Sequence, residues 1–429
     1  MPDPKAYLRW VALGGLIGIP AALLAAGFLA LVHQIETWLW HDLPDSLGTS
    51  GPPWYLVIGL PAVGACIVAA ARRFLPGDGG HSPLKGFSAG GAVQLSHGLG
   101  IVLAAIGTLS FGAVLGPEAP LIALGAMVGV ATTLFARTDE QGEKVLGTAG
   151  SFAAISALFD GPIVAGVMLT EAGLSFGAKL MYVLLPGFVA AAIGYVIFIG
   201  FGDWGGLSTQ SLAVPDLPPY TGTHVSDLLI AIVVGVVAAV LIAAVRKIAT
   251  RIAEGGTGRL GMPGLLIAGG FAVGLVAQIA DWLGADSQDV LFSGQQGVPA
   301  LAATTSTGIL LVLVLAKAIA YGVSLGCGFR GGPVFPAVFL GVGVAEFAHV
   351  WFDVSPTLGI AAGAAAGMAA GTRLLLTPVL FSALLVGRIG LDAVPAAVLA
   401  ASAAWLTVQA VERGQGETPE AAAPAGAGS

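Results

Sequence analysis

Charge is what this 429-residue chain has least of: 10% of its residues are Asp, Glu, Lys or Arg, against about a quarter in a soluble domain. So few charges cannot cover the surface of a water-soluble fold of this length. Basic residues do not accumulate either. Lys and Arg number 17 against 24 Asp and Glu, a net charge of −7 spread over loops and tail, which argues against a nucleic-acid partner. Cysteine is nearly absent. Cys66 and Cys327 lie in apolar sequence, and two cysteines make neither a disulfide framework nor a metal site. Both read as small buried apolar residues. No metal, cofactor or catalytic group is expected.

What is there is apolar. Hydrophobic residues make up 56% of the chain, and the mean hydropathy is +0.91. The chain reads as an all-α polytopic membrane protein. Its 65 Gly and 25 Pro are many for plain spanning helices and predict close packing and interrupted helices.

Residues 1–10 are short and carry Lys5 and Arg9; residues 11–32 form an uncharged span too long for a signal peptide. A second span, 54–71, runs into Arg72 and Arg73. Basic residues at span ends mark the cytoplasmic side, so the N-terminus is expected inside. Trp38, Trp40 and Trp54 flank the first external loop and read as interface anchors. The chain divides into a first membrane repeat, 11–202, an external loop, 203–227, and a second repeat, 228–411. Residues 412–429 read as a disordered cytoplasmic tail. Arg246, Lys247, Arg251 and Arg259 form the most basic cluster. Lys317 and Arg330 are expected at an interface or snorkelling towards one.

Many apolar pieces are shorter than the roughly 20 residues of a straight span. Short Gly/Pro-broken segments at matching places in two halves point to a transport site. The halves do match: at an offset of 216, Gly116 meets Gly332, Pro120 meets Pro336, Gly125 meets Gly341 and Pro162 meets Pro378.

Glu118 stands alone in an apolar stretch, FGAVLGPEAPLIALGAMVG (residues 111–129). Gly116 and Pro117 stop a helix and Pro120 suits the first turn of another, so Glu118 is expected at a helix N-terminus at membrane depth. Helix starts are also expected after Gly80-His81-Ser82-Pro83 and after Gly331-Gly332-Pro333. A helix N-terminus offers unpaired N–H groups and about half a positive charge. Several aimed at one point bind an anion without the full cation that would hold it too tightly. A glutamate there competes with the ion, which makes it a gate.

These motifs resemble the CLC family of chloride channels and proton-coupled antiporters. GPEAP resembles the family's G(K/R)EGP, GGHSP its GSGIP, and residues 317–341, KAIAYGVSLGCGFRGGPVFPAVFLG, the stretch through its GxFxP filter. Residues 151–173, ending FDGPIVAGVMLTEAG, resemble FNAPLAGxxFxxEE. The resemblance implies a homodimer in the lipid membrane with a pore for chloride or a related small anion in each subunit, and an inverted repeat. Glu118 falls on the external gating glutamate, the Val334 and Phe335 N–H groups on those holding the central anion, and residues 79–83 on the first filter loop.

Departures qualify this. Gly80 stands where the family has its filter serine, with Ser82 two positions late, and the methionine of the fluoride-transporting branch is not seen. Glu171 aligns with the first glutamate of the EE pair and Ala172 with the second, the inner proton carrier; one residue on a helix is a turn of about 100°. The last helix, bearing the family's central tyrosine, has no counterpart. His81 is either a pH sensor in a pore mouth or a hydrogen-bonded structural ring. These departures favour a passive channel over proton-coupled antiport, for which Glu118 and Glu171 would be the proton path. A cation pathway through the same carboxylates is disfavoured by the three helix starts. Gly86-Phe87-Ser88-Ala89-Gly90 matches G-x-S-x-G and, with His97, raises an intramembrane serine hydrolase. That elbow belongs between a strand and a helix, whereas here a short membrane helix is expected.

Overall fold

The computed structural model describes residues 3–88, 93–136, 138–173, 180–205 and 212–414. Ala89 and Gly90 of the G-x-S-x-G match, residues 206–211 of the expected external loop and 415–429 of the tail lie outside them.

Apolar runs bounded by Gly, Pro or charge form helices throughout. In the first half these are α1 (Pro4–Thr37), α2 (Trp54–Phe74), α3 (Gly98–Leu109), α4 (Glu118–Ala136), α5 (Glu140–Leu158), α6 (Pro162–Ala172) and α7 (Leu180–Gly205). In the second they are α8 (Val225–Trp282), α9 (Thr307–Cys327), α10 (Val334–Phe352), α11 (Pro356–Thr372), α12 (Leu376–Val386) and α13 (Val394–Gly414). α8 is two helices joined at Gly261, whose φ of 66° breaks the helical path before Pro263. Among the described residues, eight helices are long and apolar enough to cross a membrane, so the protein is a multi-pass membrane protein.

The repeat is visible in the helix register. α4 and α10 are both 19 residues long and displaced by 216 at each end (334 − 118 and 352 − 136). α11 also begins 216 after α5 (356 − 140) but ends two residues sooner, so α6 and α12, both 11 residues, are displaced by 214 (376 − 162). By these helix bounds Pro162 corresponds to Leu376, not Pro378. The expected offset holds for the first block and drifts in the second.

Close crossings hold each half together. A Cβ on Gly125 of α4 would stand 2.7 Å from the Gly150 carbonyl carbon of α5, and one on Gly341 of α10 would stand 2.7 Å from Gly367 Cα of α11. Small residues let backbones approach where lipid supplies no hydrophobic drive.

Hydrogen bonds between helix ends sort the two faces. Arg9, near the start of α1, donates to the Ala136 carbonyl at the end of α4 at 2.6 Å. Arg72, at the end of α2, donates to the Gly328 carbonyl after α9 at 2.9 Å, and Arg373 pairs with Glu412. On the opposite, acidic face Trp351 at the end of α10 donates to Thr307 at the start of α9 at 3.3 Å. α4 therefore rises to mid-depth from the basic face and α10 from the acidic face.

Four expectations fail here. Lys317 is fully buried rather than snorkelling, because the Asp289, Leu291 and Phe292 carbonyls accept from its ammonium at 3.0, 2.7 and 3.1 Å. Arg330 is buried as well, paired with Asp78. Trp40 is no interface anchor; its indole N–H donates to the Ser110 carbonyl at 3.0 Å inside the core. Trp38 and Trp54 remain exposed. Cys66 is exposed on the apolar surface, whereas Cys327 is buried.

Candidate functional site

The loops before α4 and α10 meet nose to nose. Gly116 and Gly332 form an antiparallel bridge, with Gly116 N–H donating to the Gly332 carbonyl at 2.8 Å and Gly332 N–H to the Gly116 carbonyl at 2.6 Å. The repeat's symmetry-related residues are thus bonded to each other at the centre. Glu118, the first residue of α4, turns its carboxylate across this junction, where the Phe335 N–H donates to Oε1 at 3.1 Å. The Val334 N–H also points at the carboxylate. Glu118 is 0% exposed, and among the described residues Oε2 has no hydrogen-bond partner.

Only glycine fits beside it. A Cβ on Gly116 would lie 2.5 Å from Oε1, and one on Gly332 would lie 2.6 Å from the carboxyl carbon. The two glycines make the space the carboxylate fills. Two helix N-termini approach it from opposite faces, each bringing partial positive charge, so the pocket favours an anion. Glu118 is the anion now in it.

Three residues that sequence motifs did not single out shape this junction. The Tyr321 hydroxyl of α9 donates to the Pro333 carbonyl at 3.2 Å. A trans peptide directs its N–H away from its C=O, so this bond turns the Val334 N–H towards Glu118. One helical turn on, Ser324 Oγ accepts from the Val114 N–H at 3.0 Å, and on α3 Thr108 Oγ1 accepts from the Arg330 N–H at 3.2 Å. Tyr321 and Ser324 share a helix face at i, i+3, the signal that would have found them. Phe335 stacks on Phe159 at 5.9 Å, and Phe381 meets both edge-on at 5.6 and 6.1 Å. This trio closes the apolar wall.

The first filter loop is different from expectation. Pro83 opens a one-turn 3-10 helix, Pro83–Lys85, in place of the expected α-helical start, and a further 3-10 turn, Leu95–His97, leads into α3 at Gly98. One turn leaves little aligned dipole. Positive φ at Gly77, Asp78, Gly79 and Gly80 curls the chain out of helical geometry. At Gly80 φ is 97° and a Cβ would stand 3.3 Å from Ile101, which accounts for glycine where the family has serine. Arg330 Nε donates to the Asp78 carbonyl at 2.9 Å, and Arg72 Nε to Asp78 Oδ1 at 2.8 Å. The loop is therefore tied to the residue two before Gly332, but among the described residues no hydrogen bond joins it to Glu118. His81 bonds the Gly86 carbonyl through Nε2 at 3.0 Å. Partial burial of its ring, with Arg330 and Lys85 nearby, pushes the imidazole below its ordinary range, against the Gly86 bond. Gly86, Phe87 and Ser88 lie on irregular backbone and not on the expected short helix.

Glu171 is elsewhere. Its carboxylate accepts from the Leu376 and Thr377 N–H groups, both at 3.0 Å, and from Thr377 Oγ1 at 2.8 Å, capping α12. Among the described residues no hydrogen bond or ion pair joins it to Glu118.

Two cavities flank the junction from the acidic face. One of about 470 Å³ reaches Phe335 and is walled by Gln295, Gln296, Val338 and Phe381. The other, about 540 Å³, reaches Leu115 and Pro117.

Comparison with known proteins agrees with this architecture. A family model described as "Voltage gated chloride channel" matches residues 63–408. YfeO of Salmonella newport (strain SL254), named as an ion-transport protein, is 27% identical over 354 residues, 80% of each chain; YfeO of Salmonella schwarzengrund (strain CVM19633) gives the same figures. Among solved structures, a slow cyanobacterial Cl⁻/H⁺ antiporter superposes with a TM-score of 0.76 at 16% identity, over 94% of this chain and 95% of that one. A CLC-type fluoride/proton antiporter gives 0.73 at 19%, over 95% and 96%. With the family model spanning most of the membrane part and the inverted repeat meeting at Gly116 and Gly332, the chain belongs to the voltage-gated chloride channel family.

Proposed function

We propose that this protein moves chloride or a related small anion across a cell membrane, through a site where α4 and α10 meet, with Glu118 as its gate. The observation that carries the reading is the Glu118 carboxylate held by the Phe335 N–H between opposed helix N-termini. When Glu118 leaves, the Val334 and Phe335 N–H groups and the space over Gly116 and Pro117 are free for an anion of similar size and charge. Residues 79–83, tethered through Asp78 and Arg330, border the path on the basic face. That face is taken as cytoplasmic, with both termini, because Arg72, Arg73, Lys247, Arg251 and Arg259 cluster there. The two repeats, 11–202 and 228–411, are joined by the external segment 203–227, and the chain pairs as a homodimer with one pore per subunit.

Transport is passive in this reading. The position of the family's inner proton carrier is Ala172, and Glu171 is committed to capping α12. Proton-coupled antiport is the second reading, favoured by the solved structures of similar fold, a slow cyanobacterial Cl⁻/H⁺ antiporter and a CLC-type fluoride/proton antiporter. Chloride efflux from liposomes bearing the purified protein, with proton movement recorded together, tests both. Efflux without proton uptake supports the channel, and stoichiometric uptake supports the antiporter. A flux that follows sodium or potassium instead of chloride refutes the anion reading.

A further inference from the structure

The two cavities on the acidic face differ in chemistry. Among the described residues, the one at Phe335 has no titratable side chain in its wall; its polar lining is the amide pair Gln295 and Gln296. The one at Pro117 is lined by His33, Glu36, His41 and Asp289. Gln295 and Gln296 line both, so the loop that carries them is the partition.

Exposure falls along the wall of the second cavity. His33 and His41 are exposed, Glu36 and Asp289 are half-buried, and Leu115 and Pro117 at its floor are buried. Gly116 lies between those two floor residues, and the Glu118 carboxylate rests against it, Oε1 2.5 Å from where a Cβ would be. The carboxylate is thus one residue from this cavity and one N–H, that of Phe335, from the other. Oε2 is buried without a partner, so a proton has an unclaimed oxygen to join.

We propose that the cavity lined by His33, Glu36, His41 and Asp289 is a proton route to Glu118, separate from the anion route past Phe335. This rests on the anion-transport reading above. Two carboxylates facing one cavity repel an anion, while carboxylates and imidazoles take up and release protons across pH about 4 to 7. The volume, about 540 Å³, holds several waters at roughly 30 Å³ each. A proton from the bulk joins a Glu36 oxygen, leaves it through cavity water and forms the O–H bond on Glu118, which then gives up its charge and its claim on the anion site. The other charged groups facing Asp289 are Asp286 and Lys317. The three Lys317 hydrogen bonds all go to wall carbonyls, so it fixes the cavity's shape. His33 stands one helical turn from Glu36, on the same face.

The experiment follows chloride flux through the full-length protein in liposomes after a rapid pH step on the acidic face. Wild type is compared with Glu36→Gln, Glu36→Asp, His33→Gln/His41→Gln and Glu118→Gln. The proposal predicts that Glu36→Gln slows the approach to the new flux by roughly tenfold or more, that Glu36→Asp restores it, and that Glu118→Gln does not respond. An unchanged response in Glu36→Gln beside an unresponsive Glu118→Gln overturns the route while leaving anion transport standing. A lowered chloride KM in Glu36→Gln, with the pH response intact, would make this cavity the anion's way in and also overturn it. Absence of chloride flux from wild type refutes the transport reading, and this route with it.

Discussion

Replacing Glu118 by alanine should leave the anion site permanently open, and the geometry gives a magnitude. In the closed arrangement the carboxylate accepts one charge-assisted hydrogen bond, from Phe335 at 3.1 Å, worth about 1.5–3 kcal/mol. Two helix N-termini add about 0.3–1 kcal/mol each. Against this, the unpartnered Oε2 costs about 1–3 kcal/mol for its lost hydration. The balance favours the gate shut by about 1–2 kcal/mol. At 1.4 kcal/mol per tenfold, the open arrangement is then populated roughly 5- to 30-fold less than the closed one. Where opening limits transport, Glu118→Ala should raise initial chloride efflux at pH 7.5 by that roughly 5- to 30-fold factor and abolish its dependence on pH. Glu118→Gln keeps an acceptor for the Phe335 N–H but not the charge, so it should fall between. Efflux from Glu118→Ala equal to wild type, or still following pH, would refute the gate.

Gly332→Ala should force the same carboxylate aside, since its Cβ would lie 2.6 Å from the carboxyl carbon; weaker pH dependence than wild type checks it, and an unaltered pH profile would count against the packing argument. Lys317→Met leaves the buried Leu291 carbonyl and the half-buried Asp289 and Phe292 carbonyls without their donor and should destabilise the fold by about 1–3 kcal/mol for the buried acceptor alone, read as a lowered unfolding temperature in detergent. A Tm within a degree of wild type would contradict the clamp. His81 is held below its ordinary range by burial of its ring, so its neutral form dominates near pH 7. His81→Gln should therefore leave flux unchanged from pH 7 to 8 and remove any rise in flux on acidifying the basic face. A flux change at pH 8 would show that the ring acts otherwise.

Much of the membrane architecture was legible because lipid imposes it. Apolar length, Gly/Pro breaks and terminal arginines mark helices that must satisfy their own backbone. The Gly116–Gly332 pairing was readable because both motifs carry the same stops at the same spacing. Lys317 misled because a lone lysine in an apolar run usually reaches for water, and its acceptors lie 25 to 28 positions away in sequence. Trp40 failed for the same reason: its acceptor is 70 positions distant. The helix expected after Pro83 stops within one turn at Gly86, whose φ is 90°, a break that a Gly-rich string permits without announcing. Tyr321 and Ser324 act through partners in other loops, so their shared helix face at i, i+3 is the one local signal of them.

The account turns on one claim, that Glu118 and a transported anion compete for the space between α4 and α10. Anomalous diffraction from crystals grown in bromide, for wild type and Glu118→Gln, tests it most directly. A bromide peak within hydrogen-bond distance of the Val334 and Phe335 N–H groups, strong in Glu118→Gln and weak or absent in wild type, is the predicted result. Bromide bound elsewhere along the chain, with that position empty in both proteins, would contradict it.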